Sequence, residues 1–213
     1  MRFASLVPAK FVRRVNRFLC MVQLGNKETL AYIRNTGRLK ELLIEGSPVY
    51  LKEKDTGKYK YEVLLTETNR GFLVCLDSQI APRLYAETLT QQHVIYEPRI
   101  NGSRLDLLVG RYIIEVKSVN LVKDHTALFP DAPTKRGTKH IHILINAYPK
   151  FVPKMVFVVQ REDAKVFSPN AETDPVFAQM LKRFAHLGYE VKAYNCFVSL
   201  EEIKLKEEIE VIL

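Results

Sequence analysis

The 213-residue chain lacks the short motifs that mark several large enzyme classes. It has no G-x-x-x-x-G-K-[ST] phosphate loop, G-x-G-x-x-G turn, H-E-x-x-H pair or G-x-S-x-G elbow, which lowers the standing of nucleotide-driven motors, dinucleotide enzymes, zinc proteases and serine hydrolases. Cysteine is scarce. Cys20, Cys75 and Cys196 are odd in number, far apart and without C-x-x-C spacing, so neither a disulfide framework nor a zinc site is expected, and buried thiols are. No apolar run is long enough to cross a bilayer. Lys10, Arg13, Arg14 and Arg17 interrupt the apolar residues at the start, which leaves no signal-peptide core, and the expectation is a cytoplasmic protein without membrane contact. Internal repeats and low-complexity tracts are also missing.

What is present is a substantial apolar content, 47% by composition, enough to build one large core or two small ones. The charge is uneven. Residues 1–40 hold nine Lys or Arg and one acid, Glu28, so the whole formal net charge of +8 resides in that first stretch. A basic surface confined to one end is the footprint of a polyanion binder, with nucleic acid ahead of an anionic membrane; a solvated basic face without a ligand is the plainer reading.

The pattern of short apolar segments and turn residues divides the chain at about residue 80. Residues 5–24 read as one extended segment with a bulge or bend, followed by a turn at Gly25-Asn26 and strands over 30–34, 49–53, 59–66 and 72–76. Several short strands in about eighty residues suggest a small all-β barrel, and the five-stranded oligonucleotide-binding (OB) barrel suits a basic face. After Ala81-Pro82 helices alternate with strands. Helices are expected over 83–91, 134–148 and 176–187, the last capped by Asp174-Pro175 and Gly188, with strands over 94–96, 155–159 and 189–194. The expected second domain, residues 81–213, is therefore α/β with a mixed sheet, and the acidic tail from Glu201 is ambiguous.

One segment of this second domain carries chemistry. Leu105 to Val109 and Tyr112 to Val119 are rich in β-formers, and Gly110-Arg111 suits a two-residue hairpin turn. Counting back from Val109 opposite Tyr112 pairs Leu108 with Ile113, Leu107 with Ile114 and Asp106 with Glu115, which brings two carboxylates face to face. Lys117 shares their side, while Leu105, Leu107, Val109, Ile114 and Val116 can be buried on the other. Opposed like charges destabilise a strand pair unless something positive lies between them. Mg2+ or Mn2+, which take hard oxygen ligands, is one candidate; the plain alternative is that Lys117 neutralises two exposed acids. His140 and His142 resemble a metal pair, but two residues apart on a helix they point to different sides.

The stretches Asn101-Gly102-Ser103-Arg104-Leu105-Asp106, Glu115-Val116-Lys117-Ser118-Val119, Phe129-Pro130-Asp131-Ala132 and Arg136-Gly137-x-Lys139-His140, together with Asn35-Thr36-Gly37-Arg38-Leu39, resemble the sugar fermentation stimulation protein A family over nearly the whole chain. The resemblance implies an OB barrel over residues 1–80 and a second domain similar to the PD-(D/E)XK nucleases, in a family described as DNA-binding. It implies Asp106 and Glu115 as metal ligands, Lys117 as catalytic lysine and Glu87 as an additional acid, with Asp131, Lys139 and His140 lining the same cleft. The chain departs from the family pattern at Asp77-Ser78, at Ala81-Pro82-Arg83-Leu84 and around Asp124-His125.

Two functional expectations follow. One is a DNA-binding protein, with RNA as a further possible ligand, whose second domain hydrolyses phosphodiester bonds with Mg2+ or Mn2+. Arg13, Arg14, Arg17, Arg34, Arg38, Arg83 and Arg104 would then grip phosphates, and Phe11, Phe18 or Tyr32 would stack on bases where they face outward. The other is a non-catalytic DNA-binding regulator linked to sugar metabolism that retains a nuclease fold.

Overall fold

The computed structural model describes residues 1–89 and 93–213. Five strands near the N-terminus, β1 (Leu6–Asn16), β2 (Leu19–Leu24), β3 (Lys27–Tyr32), β4 (Pro48–Glu53) and β5 (Tyr61–Glu67), run in the order β3-β2-β1-β4-β5, and β5 returns in parallel to β3 through Ala31 and Tyr32. That return closes an OB barrel. A sixth strand, β6 (Leu73–Cys75), extends β5 outside the closure. Alternating residues such as Cys20, Val22, Val49 and Leu51 fill the interior, and Leu39, Leu42 and Leu43 from the connection between β3 and β4 complete its core.

The first twenty residues differ from the sequence expectation. Residues 5–24 form a hairpin rather than one segment, because the Asn16 side chain accepts the Phe18 N–H at 2.8 Å and turns the chain at Arg17-Phe18. The expected bulges are real and fall in β1 at Phe11/Arg13 and Arg14/Asn16.

The second domain comprises α1 (Ala81–Ala86), β7 (Val94–Tyr96), the small hairpin β8 (Arg99–Ile100) and β9 (Ser103–Arg104), β10 (Leu107–Val109), β11 (Tyr112–Val119), β12 (Val122–Lys123), β13 (Thr126–Phe129), α2 (Lys135–Ile145), β14 (Val152–Val159), β15 (Val166–Pro169), α3 (Pro175–His186), β16 (Glu190–Val198) and β17 (Ile203–Val211). Nine of these strands make one mixed sheet in the order β12-β13-β15-β17-β16-β14-β11-β10-β7. Its centre, β11-β14-β16, is parallel, and Met155 to Val159 are wholly buried because layers cover both faces. Helices α2 and α3 pack on one face; α1 and the outer side of β5 and β6 pack on the other.

Local chemistry explains the helix boundaries. Asp174 accepts the Phe177 N–H at 2.9 Å with Pro175 at the first helical position, and its second oxygen accepts the Thr134 N–H at 2.7 Å, so the starts of α2 and α3 are tied together. Gly137 permits this approach: a Cβ there would meet Thr134 at 2.9 Å and Phe177 at 3.1 Å. Helix α1 is shorter than expected, ending at Ala86 with Glu87 as its C-cap; Gln91 lies outside the described residues. The acidic tail is strand β17, paired antiparallel with β16. No helix among the described residues is long and apolar enough to cross a membrane.

Candidate functional site

The hairpin has the register read from its sequence, with Val109 opposite Tyr112, Leu108 opposite Ile113 and Leu107 opposite Ile114. Asp106 and Glu115 come next. Here the regular ladder stops, because an oxygen of Asp106 accepts the Val116 N–H at 2.7 Å and its own carbonyl accepts the Glu97 N–H at 2.9 Å. The strand turns at this point, so Leu105 joins the core beneath α2 and α3 and not, as expected, the face shared by Leu107, Val109, Ile114 and Val116.

Glu115 is 2% exposed and faces the α2 layer. Lys117, two residues on and therefore on the same side, donates to its Oε1, and His140 of α2 meets the same oxygen through Nδ1. Arg136, one helical turn earlier, donates to His140 Nε2 at 3.4 Å, which leaves the proton of a neutral ring on Nδ1, directed at Glu115. Oε1 is thus doubly engaged. Oε2 is buried with no hydrogen-bond partner.

Burial pushes both carboxyls toward the neutral form, with opposite outcomes. Asp106 is raised to about 7, by desolvation first and then by the charge of the nearby Glu115. Glu115 feels the same desolvation, but Lys117 and His140 more than offset it and hold the group below the usual carboxylate range. Glu115 is therefore pulled toward its charged form and Asp106 toward its neutral one. A buried carboxylate oxygen without a partner, beside a second carboxyl, is the hard-oxygen donor set that Mg2+ or Mn2+ accepts, so these residues fit such an ion. No group of three or more His, Cys, Asp or Glu disposed to hold a metal occurs among the described residues, so main-chain or water oxygens would supply the rest.

The other residues singled out from sequence divide. His140 joins the cluster; His142 is exposed on the far side of its helix, as the two-residue spacing requires. Glu87 does not join it. It ends α1 on the opposite layer, exposed, with the Met1 amino group at 3.4 Å, and Met1 is bonded to Ile203 of β17, three strands from β11. Lys139 is exposed on α2. Asp131 serves the domain seam: it accepts the Leu39 N–H at 2.7 Å, and a Cβ on Gly37 would come within 2.9 Å of its carboxylate, so a larger residue there would displace the Asp131 side chain. Asn35 continues the seam through Asn120 at 2.8 Å.

The arginines also separate into two kinds. Arg14 donates to the carbonyls of Arg17, Asn35, Gly37 and Arg38 at 2.6 to 3.1 Å, so it clamps the Asn35 to Arg38 loop, and burial lowers its pKa. Arg34 is held by Glu62 at 3.1 Å and Gln79 at 3.3 Å, and Arg104 pairs with Glu97 at 3.1 Å. Arg13, Arg17, Arg38 and Arg83 are exposed. Of the three aromatics, Phe11 is core; Phe18 and Tyr32 lie outward, stacked on each other. Sequence reading missed Asn120 and the role of Arg136, although the four-residue spacing of Arg136 and His140 was a readable signal.

Comparison with known proteins agrees with this architecture. Residues 12–76 match the model of the SfsA N-terminal OB domain, and residues 68–202 match that of the sugar fermentation stimulation protein RE domain. A sugar fermentation stimulation protein homolog of Aquifex aeolicus is 46% identical over 97% of this chain and 98% of its own length, and one from Desulforamulus reducens is 39% identical over 98% and 93%. The solved structure of Pyrococcus furiosus SfsA in complex with Ca2+ superposes with a TM-score of 0.89 at 32% identity, covering 100% of this chain and 98% of that one. The chain belongs to the sugar fermentation stimulation protein (SfsA) family.

Proposed function

We propose that the protein binds DNA through its barrel and hydrolyses phosphodiester bonds at the Asp106–Glu115–Lys117 cluster with Mg2+ or Mn2+. The observation that carries this reading is the buried, unpartnered Oε2 of Glu115 next to Asp106. A hairpin with an apolar opposite face gains nothing from two crowded carboxyls, one of them raised to about 7, unless a cation compensates them. The Pyrococcus furiosus relative, solved with Ca2+, is consistent with a family whose oxygens suit hard divalent ions.

The residues divide the work. The chemistry such an ion supplies when bound is polarisation of the phosphate and easier ionisation of water. Asp106 and Glu115 Oε2 would hold it. His140 and Lys117 keep Oε1 occupied, so Glu115 can present only its other oxygen. The Lys117 ammonium, on a side chain 15% exposed, would stabilise negative charge developing on the phosphate. Arg13, Arg17 and Arg38 would hold the strand by its phosphates.

A second reading, a DNA-binding regulator without catalysis, is favoured by one observation: the described residues provide only two carboxylates, without a third metal-binding side chain. Incubating the purified protein with plasmid, single-stranded DNA and RNA, with Mg2+, Mn2+ or a chelator, separates the two. Metal-dependent products that disappear in Lys117→Ala and Asp106→Asn are expected; products unchanged in both variants, or none at all, would leave the regulator.

A further inference from the structure

The exposed part of the barrel holds something that phosphate binding by charge does not require. Phe18 is 43% exposed, yet its ring is held parallel to that of Tyr32, with centroids 6.2 Å apart and an interplanar angle of 12°. Lys54 Nζ stands 5.9 Å from the centre of the Tyr32 ring. Three separate elements meet here: the turn between β1 and β2 gives Phe18, the end of β3 gives Tyr32, and the connection between β4 and β5 gives Lys54. In a barrel of this strand order, that is the face and those are the two loops that take single-stranded oligomers.

The turn is rigid. Phe18 N donates to Asn16 at 2.8 Å, Phe18 O accepts from Ile33 at 2.9 Å, and Arg14 holds the Arg17 carbonyl at 2.8 Å. An apolar ring exposed to water on a turn whose main chain is hydrogen-bonded on both sides, next in sequence to the exposed Arg17 and within a stretch of nine basic residues and one acid, complements a polyanion that also has open π-faces. Duplex DNA hides those faces in its own stack.

We propose that the Phe18–Tyr32 pair is a stacking platform for unpaired bases, and that the ligand of this protein is single-stranded DNA rather than duplex. This rests on the nucleic-acid part of the function proposed above and is independent of cleavage. The same turn is connected to the second domain, since Arg14 also clamps Asn35, Gly37 and Arg38, and Asp131 ahead of α2 accepts from Leu39.

Fluorescence anisotropy on the full chain in chelator tests it with three labelled probes: an oligo(dT), a duplex of equal length, and an abasic deoxyribose-phosphate oligomer. Oligo(dT) is expected to bind at least tenfold more tightly than either other probe. Phe18→Ala should weaken oligo(dT) binding roughly 5- to 150-fold and leave the abasic oligomer unaffected, while Phe18→Trp restores binding. Unchanged oligo(dT) affinity in Phe18→Ala, or equal affinity for duplex and single strand, would overturn the platform while leaving charge-driven DNA binding intact. No salt-sensitive binding to any probe would overturn that broader reading as well. Thermal melting of Phe18→Ala checks that the fold is kept.

Discussion

Arg13, Arg17 and Arg38 stand exposed on the barrel domain with no ion pair among the described residues, whereas Glu115 and Lys117 of the mixed sheet are packed against one another and against His140 of α2. The contrast follows from what each surface meets. Screened, mobile guanidiniums can follow a flexible polyanion at little desolvation cost, but a reacting centre needs its charges held before the substrate arrives. Arg14 is the exception on the barrel. Its five carbonyl partners, Asn16 at 3.3 Å with the four already named, make it part of the scaffold, and this difference between neighbours one and three residues apart can be broken experimentally.

The largest expected effect is on chemistry. Lys117→Ala and Asp106→Asn should each lower metal-dependent cleavage by about 10²- to 10³-fold, read from initial rates on an oligonucleotide with Mn2+; rates within a factor of about three of the parent would remove Lys117 from the mechanism.

The next effect is on stability against pH, measured by urea unfolding in chelator. Folded Asp106 keeps its proton to about 7, whereas the unfolded group loses it near 3.8. The folded state therefore binds more protons between those values, so the Asp106 contribution is fully present below about 4 and is lost as pH rises through 7, by of order 2–4 kcal/mol, whereas Glu115, held low, contributes in the opposite sense, with stability lost as pH falls through the acid range. Asp106→Asn should flatten that slope. A native profile as flat as the variant's would mean that the carboxyl is not buried as described.

A smaller change sharpens the arginine comparison directly. Arg14→Ala should cost about 2 kcal/mol or more in urea unfolding, because carbonyls of both the β1–β2 turn and the Asn35 to Arg38 loop lose a charged donor, while Arg17→Ala stays within about 0.5 kcal/mol. The reverse ranking would make Arg14 a ligand-binding residue. Smallest of all, Arg13→Ala and Arg17→Ala should each reduce the slope of log affinity against log salt by about 0.7 on a single strand; an unaltered slope would place the phosphate contacts elsewhere.

Much of this arrangement was legible in the chain. The hairpin register from Val109 opposite Tyr112 to Leu107 opposite Ile114 followed from a two-residue turn and the period of two, and α3 from Asp174-Pro175 and Gly188, because these are local rules that tertiary contacts did not override. Strands β12, β13 and β15 were not legible. They are two to four residues long, and Asp124 and His125 form the β12–β13 turn with φ of +45° and +64° without any glycine to mark it. Strand β17 hid behind its acids, since only Ile203 and Ile209 along it are buried. At the site, the hairpin count proposed the two acids and Lys117, but it could not show that His140, with Arg136 behind it, engages Glu115 by one oxygen. That depends on how α2 crosses the sheet. Glu87 was proposed from resemblance, and α1 places it on the other layer.

The central claim, that Asp106 and Glu115 form a cation site, is tested most directly by titrating Mn2+ into the protein at pH 7 in a calorimeter with buffers of different ionisation heat. Saturable binding accompanied by release of a fraction of a proton, as Asp106 gives up the one it retains, is expected for the native chain, with both signals lost in Asp106→Asn and in Glu115→Gln. Equal Mn2+ binding by the native protein and both variants would contradict it.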